Sequence, residues 1–187
     1  MPKVVDENKV FRCAIEMMVR YGYASATTKK IAAAAGIHEA TLFRKYGSKL
    51  GLIEKAIEQR LSDTPLNKLA YSGVLEADLL SILQAYSEVS RMHGEIMPML
   101  LFEIARDPAL ENLLHTPWEN IALILDIIEK YQRQGQLKKE PPLSTLNVLI
   151  GPIMVSHMLK RANTDLPLPS TDLHQFVDAF LHGRKER

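Results

Sequence analysis

Residues 27–49, TTKKIAAAAGIHEATLFRKYGSK, decide the fold, because they place a small-residue helix, a sharp turn and a short basic helix in succession. Two helices that meet at a steep angle need small side chains where their backbones approach. They also need a residue in the turn that tolerates positive φ. The alanine run at 32–35 meets the first need and Gly36 meets the second, so this stretch predicts a helix-turn-helix.

The helix after the turn is expected to direct its polar side chains to solvent, because Ile37 and Leu42 can pack it onto the two helices before it. A short exposed helix with base-reading residue types at its start and cations at its end suits the major groove of DNA. Its outward side chains are those of His38, Glu39, Thr41, Arg44 and Lys45.

Two neighbouring helix starts are expected to attract phosphate. Thr27 opens the helix before the turn, and Ser48 with Lys49 opens the helix after the basic one. Free backbone amides and the positive end of the helix dipole favour an anion at such positions. Ser48 is also a typical N-cap residue.

The charge of the chain is divided unevenly. Residues 1–60 hold 11 Lys and Arg against 6 Asp and Glu, a net charge of +5, whereas residues 61–187 hold 12 against 16, a net charge of −4. A basic head on an acidic body indicates an anionic partner for the head, either nucleic acid or a membrane surface. The composition of residues 62–73, with Pro65 and Gly73, places the boundary between head and body there.

Apolar residues recur at three- and four-residue spacing along nearly the whole chain without strict alternation, which predicts an all-α protein. Gly22 is expected to end the first helix, and Pro117 to bend or divide a later one. The body helices are predicted at 75–92, 95–106, 109–134, 143–162 and 171–182. The expected buried stripes of the head are Phe11, Ala14, Ile15 and Met18, then Ile31, Ala34 and Ala35, then Leu42 and Phe43, then Leu50, Ile53, Ala56, Ile57 and Leu61.

The helices at 143–162 and 171–182 carry more apolar surface than one neighbouring helix covers. Such a pair can meet the same pair of a second chain in a four-helix interface. Both helices can instead pack inside one chain. We predict a homodimer through these two segments, with the packed monomer as the alternative.

Several classes of protein are disfavoured. The single cysteine, Cys13, excludes an intramolecular disulfide and a thiolate metal cluster. The six histidines show no metal-ligand spacing, and no nucleophile motif or phosphate-binding loop is present. The N-terminus lacks a signal-peptide core, and the apolar run at 148–159 is about half a membrane span. We therefore expect a cytoplasmic protein without catalytic residues, metal, cofactor or membrane contact.

The residues in and around the helix-turn-helix resemble those of the tetracycline-repressor (TetR) family of transcription regulators. The matching positions are Gly22–Tyr23, Thr27, Ile31–Ala32, Ala35–Gly36–Ile37, Thr41–Leu42–Phe43, Tyr46, Ser48–Lys49 and Leu52. The resemblance implies a helix-turn-helix DNA-binding domain of three helices over residues 1–47. It also implies a helical ligand-binding and dimerisation domain over residues 48–187, closed into a dimer by the last two helices.

The resemblance also implies roles for single residues. Thr27, Lys49 and residues 43–46 match positions that usually contact the DNA backbone, and residues 38–41 match positions that face base edges. Phe43 lacks the phosphate-binding hydroxyl of the tyrosine common at its position. His38 stands where serine or threonine caps the helix. The expected DNA-binding set is Thr27, Thr28, Lys29, His38, Glu39, Ala40, Thr41, Phe43, Arg44, Lys45, Tyr46 and Lys49.

Flexible thioethers and aromatic rings in the body are candidates for lining a ligand pocket, although helix-spaced methionines are more often plain core. The candidates are Met92, Met99, Phe102, Trp118 and Met154. We predict a regulator of transcription, a repressor released from a palindromic operator by a small, largely apolar ligand. The alternatives are a ligand-independent helical protein associated with DNA and an enzyme with dispersed catalytic groups.

Overall fold

A computed structural model describes residues 5–162 and 172–183, and every regular element in these ranges is helical. The predicted all-α fold is therefore confirmed. Two 3₁₀ segments, Pro65–Lys68 and Pro108–Leu114, connect longer helices. The helices are α1 (Glu7–Ser25), α2 (Thr28–Ala35), α3 (Glu39–Tyr46), α4 (Lys49–Leu61), α5 (Leu75–His93), α6 (Ile96–Arg106), α7 (His115–Arg133), α8 (Pro142–Arg161) and α9 (Leu173–His182).

The chain forms two compact units. The first unit comprises residues 1–63 and 95–118, and the second comprises 64–94 and 119–187. The first unit thus extends beyond residue 47, because α4, α6 and the segment Pro108–Leu114 share one apolar core with α1. The functional division at residues 47 and 48 is a separate matter and stays a prediction.

The sharp turn of the first unit forms as its sequence predicts. Gly36 adopts φ of +75° after the last residue of α2. Its N–H donates to the Ala33 carbonyl at 3.2 Å, and the Ile37 N–H donates to the Ala32 carbonyl at 3.0 Å. These are the paired hydrogen bonds of a Schellman motif, which ends a helix and turns the chain away from its axis.

The buried face of α2 differs by one position from the predicted stripe. Ile31, Ala32 and Ala35 are buried, whereas Ala34 is exposed. Ala32 and Ala34 flank the face of Ile31 and Ala35 at equal angles, so helix periodicity does not choose between them, and tertiary packing buries the Ala32 side. The small residues that allow close packing are therefore Ala32 and Ala35.

The basic helix α3 and the following helix α4 also depart from their predicted stripes. Leu42 is the buried residue of α3, whereas Phe43 is 48% exposed. In α4, Leu50 is only half-buried and Leu52 is fully buried. The N-cap prediction is confirmed, since Ser48 Oγ accepts the Gly51 N–H at 3.0 Å.

The single helix predicted at 109–134 is divided. A 3₁₀ segment ends at Leu114 and α7 begins at His115, so the division lies just before Pro117. Proline is tolerated in the first turn of a helix because its missing N–H would have no partner there. Pro117 therefore lies near the start of α7.

The second unit has its own core. The predicted break at 163–170 and the first residue of the predicted 171–182 helix lie outside the described residues. α8 is long and apolar enough to cross a membrane, but buried helices of soluble proteins meet the same criterion, so the absence of membrane contact stays a prediction. The core residues come from α5, α7, α8 and α9: Leu79, Ile82, Leu83, Ile127, Ile128, Leu146, Leu149, Ile153 and Val177.

A buried carboxylate fixes the start of α5 in this unit. Asp78 Oδ2 accepts the Tyr131 hydroxyl at 2.5 Å and the Ser72 N–H at 2.8 Å. Asp78 Oδ1 accepts the Ser72 hydroxyl at 2.5 Å. Burial alone would raise the pKa of Asp78, but these hydrogen bonds outweigh it and lower the pKa below its usual value.

We expect Asp78→Asn to lower the free energy of unfolding by about 1–3 kcal/mol, because buried hydrogen bonds to a charged group are lost. Since the folded pKa of Asp78 is depressed, its stabilising contribution is present above the unfolded pKa and is lost as pH falls through the folded value. Urea unfolding from pH 7 down to 3 should therefore show a smaller acid-induced loss in Asp78→Asn than in the parent. Equal losses in both would contradict this role.

Candidate nucleic-acid interface

The first residues of α2 and α3 are joined across the turn. Thr28 Oγ1 donates to Glu39 Oε1 at 2.6 Å. Glu39 lies in the first turn of α3, where the helix dipole favours a carboxylate. Two residues of the predicted DNA-binding set therefore bind each other and join the starts of α2 and α3.

The start of α3 presents short side chains and one imidazole. His38 is the N-cap residue, but its side chain makes no capping hydrogen bond and is exposed. Ala40 is exposed and Thr41 is half-buried. The imidazole of His38 is therefore available to hydrogen-bond a base edge, and Ala40 leaves room for close approach.

The cations at the end of α3 differ in how they are held. Arg44 is exposed and makes no ion pair within residues 5–162 and 172–183. Lys45 Nζ lies 2.6 Å from Glu7 Oε1 at the start of α1. Burial and then the charge of Glu7 raise the pKa of Tyr46 to about 12. The carboxylate of Glu7 thus lies near both Lys45 and Tyr46, two residues that are predicted to contact phosphate.

Lys49 points its ammonium toward α1. Its Nζ donates to the Tyr23 carbonyl at 2.7 Å and lies 3.8 Å from the centroid of the Tyr23 ring. Burial lowers the pKa of Lys49, and the nearby carboxylate of Glu103 on α6 opposes this shift. Lys49 therefore ties α4 to α1, and its contact with DNA stays a prediction.

The remaining predicted DNA contacts lie at or near the surface. Thr27 caps α2, since its Oγ1 accepts the Lys30 N–H at 3.3 Å. Lys29 is exposed in the first turn of the same helix. The exposed ring of Phe43 has the chemistry to contact a thymine methyl group in place of a phosphate.

The structure does not gather the five predicted pocket residues into one compact unit. Met99, Phe102 and Trp118 belong to the first unit, whereas Met92 and Met154 belong to the second. Met99 packs against the core of the first unit. Phe102 is 58% exposed and carries the Arg106 guanidinium at 4.1 Å from its ring centroid. Their role as pocket residues stays a prediction.

Sequence reasoning missed Glu7. It lies 38 positions before Lys45 in the sequence, and it carries no motif or periodicity of its own. Only the packing of α1 beside the end of α3 brings the two charges together. Together these side chains form a surface of cations, hydroxyls and one imidazole, which has the chemistry to bind phosphates and base edges.

Comparison with known proteins agrees with this geometry. Residues 11–56 match the family profile described as bacterial regulatory proteins, tetR family. The chain is 27% identical over 131 residues to the uncharacterized HTH-type transcriptional regulator YvkB of Bacillus subtilis. The match covers 70% of this chain and 69% of the relative.

Solved structures share the fold across nearly the whole chain. The regulator FadR from Bacillus subtilis, in complex with stearoyl-CoA, has a TM-score of 0.71 and 12% identity, covering 95% of this chain and 98% of that one. A putative TetR-family regulator from Mesorhizobium loti has a TM-score of 0.62 and 16% identity. The match covers 97% of this chain and 96% of that one.

We expect Glu7→Gln to tighten binding to double-stranded DNA several-fold, because Lys45 is then free to neutralise a phosphate. One added phosphate contact steepens the slope of the logarithm of the DNA-binding constant against the logarithm of the salt concentration by up to about 0.9. Fluorescence anisotropy over a range of salt concentrations measures both quantities.

Glu16→Gln is the matched control, since it removes the same charge from an exposed site on the same helix. The effect of Glu7→Gln should also shrink in a Lys45→Gln background, because the two side chains act as a pair. An unchanged salt slope in Glu7→Gln would show that Glu7 does not screen Lys45.

Proposed function

We propose that the chain is a DNA-binding transcriptional regulator of the TetR family, a homodimeric repressor which a small ligand releases from its operator. The observation that carries the proposal is the outward presentation of α3. Its first turn exposes His38 and Ala40, and its last turn exposes Arg44.

Each protomer would place residues 38–45 in the major groove of one half-site. Two copies related by a two-fold axis read the same sequence on opposite strands, so the operator should be near-palindromic. The half-sites would lie one or a few helical turns apart, roughly 34–36 Å for each turn. Phosphate contacts would fix the register, and the start of α3 would select the sequence.

The exposed apolar face of α8 supports the dimer. Val148 is 64% exposed and Val155 is 51% exposed. They lie two helical turns apart on one face, and Met158 beside them is 44% exposed. A contiguous apolar face of this kind marks an interaction surface, and a second copy with the same face would cover it in a symmetric contact.

Ligand release requires two states of the dimer with different affinity for DNA. Moving the population from mostly bound to mostly free needs a preference of roughly a few kcal/mol. One such route would lie within the first unit, where Gly22 of α1 lies close to the Glu103 carboxylate of α6. A displacement of α6 would therefore disturb α1 and the nearby ammonium of Lys49.

Selection of bound fragments from random double-stranded DNA tests the proposal. We expect a two-fold symmetric consensus. Replacing His38 or Thr41 with Ala should change the preferred base pairs, whereas Arg44→Ala should weaken binding to all sequences about equally and flatten the salt dependence by about 0.9. Lys55→Ala is the control, because Lys55 is exposed on α4 and already paired with Glu58 at 2.6 Å.

An equal loss of affinity on every sequence in the His38 and Thr41 variants would refute base recognition by α3. An asymmetric consensus would refute the dimeric operator. A symmetric consensus whose occupancy responds to no ligand would favour the alternative, a helical DNA-associated protein without small-molecule control.

The dimer has its own test. We expect Val148→Glu combined with Val155→Glu to give a monomer in light scattering, because the buried face would then hold four carboxylates without partners. Val74→Glu is the matched control, since Val74 is an equally exposed valine of the second unit at 57%. A dimer that survives both α8 substitutions would place the interface elsewhere.

A further inference from the structure

The second unit contains a cleft that none of the predicted pocket residues lines. It has a volume of about 570 Å³ and lies between the C-terminal parts of α5 and α8. Its lining is polar and mostly cationic: Ser87, Glu88, Ser90, Arg91, His157, Lys160 and Arg161.

The cations of this cleft outnumber its carboxylates by three to one, and two of them are available. Arg91 and Lys160 are exposed, and neither makes an ion pair in the part of the chain that the structure describes. Arg161 is held in place, because its guanidinium donates to the carbonyls of Ser90 and Arg91 at the end of α5. Among the described residues, Glu88 is the one acidic residue that lines the cleft.

The imidazole of His157 lies in this positive field. Its Nδ1 is 2.8 Å from Ser90 Oγ. Burial lowers the pKa of His157, and the neighbouring charges of Lys160 and Arg161 lower it further. The neutral imidazole and the Ser90 hydroxyl therefore add hydrogen-bonding groups to a site whose net charge is positive.

The proposed dimer would leave the cleft open. An α-helix turns by about 100° per residue, which places His157, Lys160 and Arg161 on the same face of α8 as Leu146 and Ile153. Leu146 and Ile153 are both buried in the core of the second unit. Val148 and Val155 lie on the opposite face. A partner that covers those valines does not cover the cleft.

We propose that this cleft binds a small organic anion, with Arg91 and Lys160 pairing with its carboxylate or phosphate group. Two cations on adjacent helices can contact different oxygens of one anion, and charge-assisted hydrogen bonds of this kind are the strong ones. The inference names the ligand class of the proposed function and rests on that function for its effect on DNA. Binding itself does not depend on it.

Isothermal titration and thermal unfolding of the full chain test the proposal, with octanoate and octyl phosphate as probes and octanol as the uncharged control. We expect both anions to bind and to raise the Tm, because a ligand that binds the folded state stabilises it. Whichever of the two anions binds more tightly identifies the acidic group, carboxylate or phosphate, that the cleft prefers. Octanol should bind at least about tenfold more weakly, since it lacks the charge-assisted bonds.

Arg91→Glu with Lys160→Glu should weaken anion binding about tenfold or more. Lys138→Glu with Lys139→Glu changes the charge of the same unit equally at exposed sites outside the cleft and should leave binding unchanged. If the glutamate variant unfolds, the neutral pair Arg91→Gln and Lys160→Gln replaces it.

Equal binding of octanol, no binding of either anion, or binding that both cleft variants retain would overturn the proposal. Anion binding without any change in DNA affinity would support the cleft and refute ligand release. Selective DNA binding without anion binding would refute the cleft and leave the proposed regulator intact.

Discussion

The close approach of α2 and α3 at Gly36 is the constraint on which the recognition surface depends. Only small side chains fit where the two backbones meet, and Ala32 and Ala35 are buried there. The positive φ of Gly36 then lets the chain turn without the steric cost that a Cβ would bring. The buried side chain of Leu42 packs α3 into the core of the first unit, and the hydrogen bond between Thr28 and Glu39 joins the starts of the two helices.

Two of the cations near α3, Lys45 and Lys49, are bound by other groups of the same chain. Lys45 is paired with Glu7, and Lys49 donates to the Tyr23 carbonyl. The half-exposed ion pair of Lys45 and Glu7 is worth about 0–1 kcal/mol, so a phosphate could displace it at low cost. If the start of α3 contacts the bases, as proposed, internal pairing of Lys45 and Lys49 would lower affinity for DNA of any sequence more than it lowers sequence recognition. Arg44 is exposed and has no ion pair among the described residues, so its charge is available to a phosphate without displacing a carboxylate.

Helix α8 serves two purposes through opposite faces. One face carries Ile153 into the core and continues to His157 at the cleft. The other exposes Val148 and Val155. The sequence is apolar nearly all round this helix, and the second apolar stripe is the face that the proposed dimer would cover. The charged cleft lies near the end of the helix, where Lys160 and Arg161 also complement the helix dipole.

The sequence by itself determined the all-α class, the turn at Gly36 and the Ser48 cap, because each depends on neighbours within a few residues. Helix periodicity, positive φ and capping are local physics. The tertiary structure decided which residues share an environment: Ala32 rather than Ala34 in the core, Glu7 beside Lys45, and a cationic cleft from α5 and α8. Contacts across many residues leave no periodic signal, since they depend on how whole helices pack and not on the spacing within any one of them.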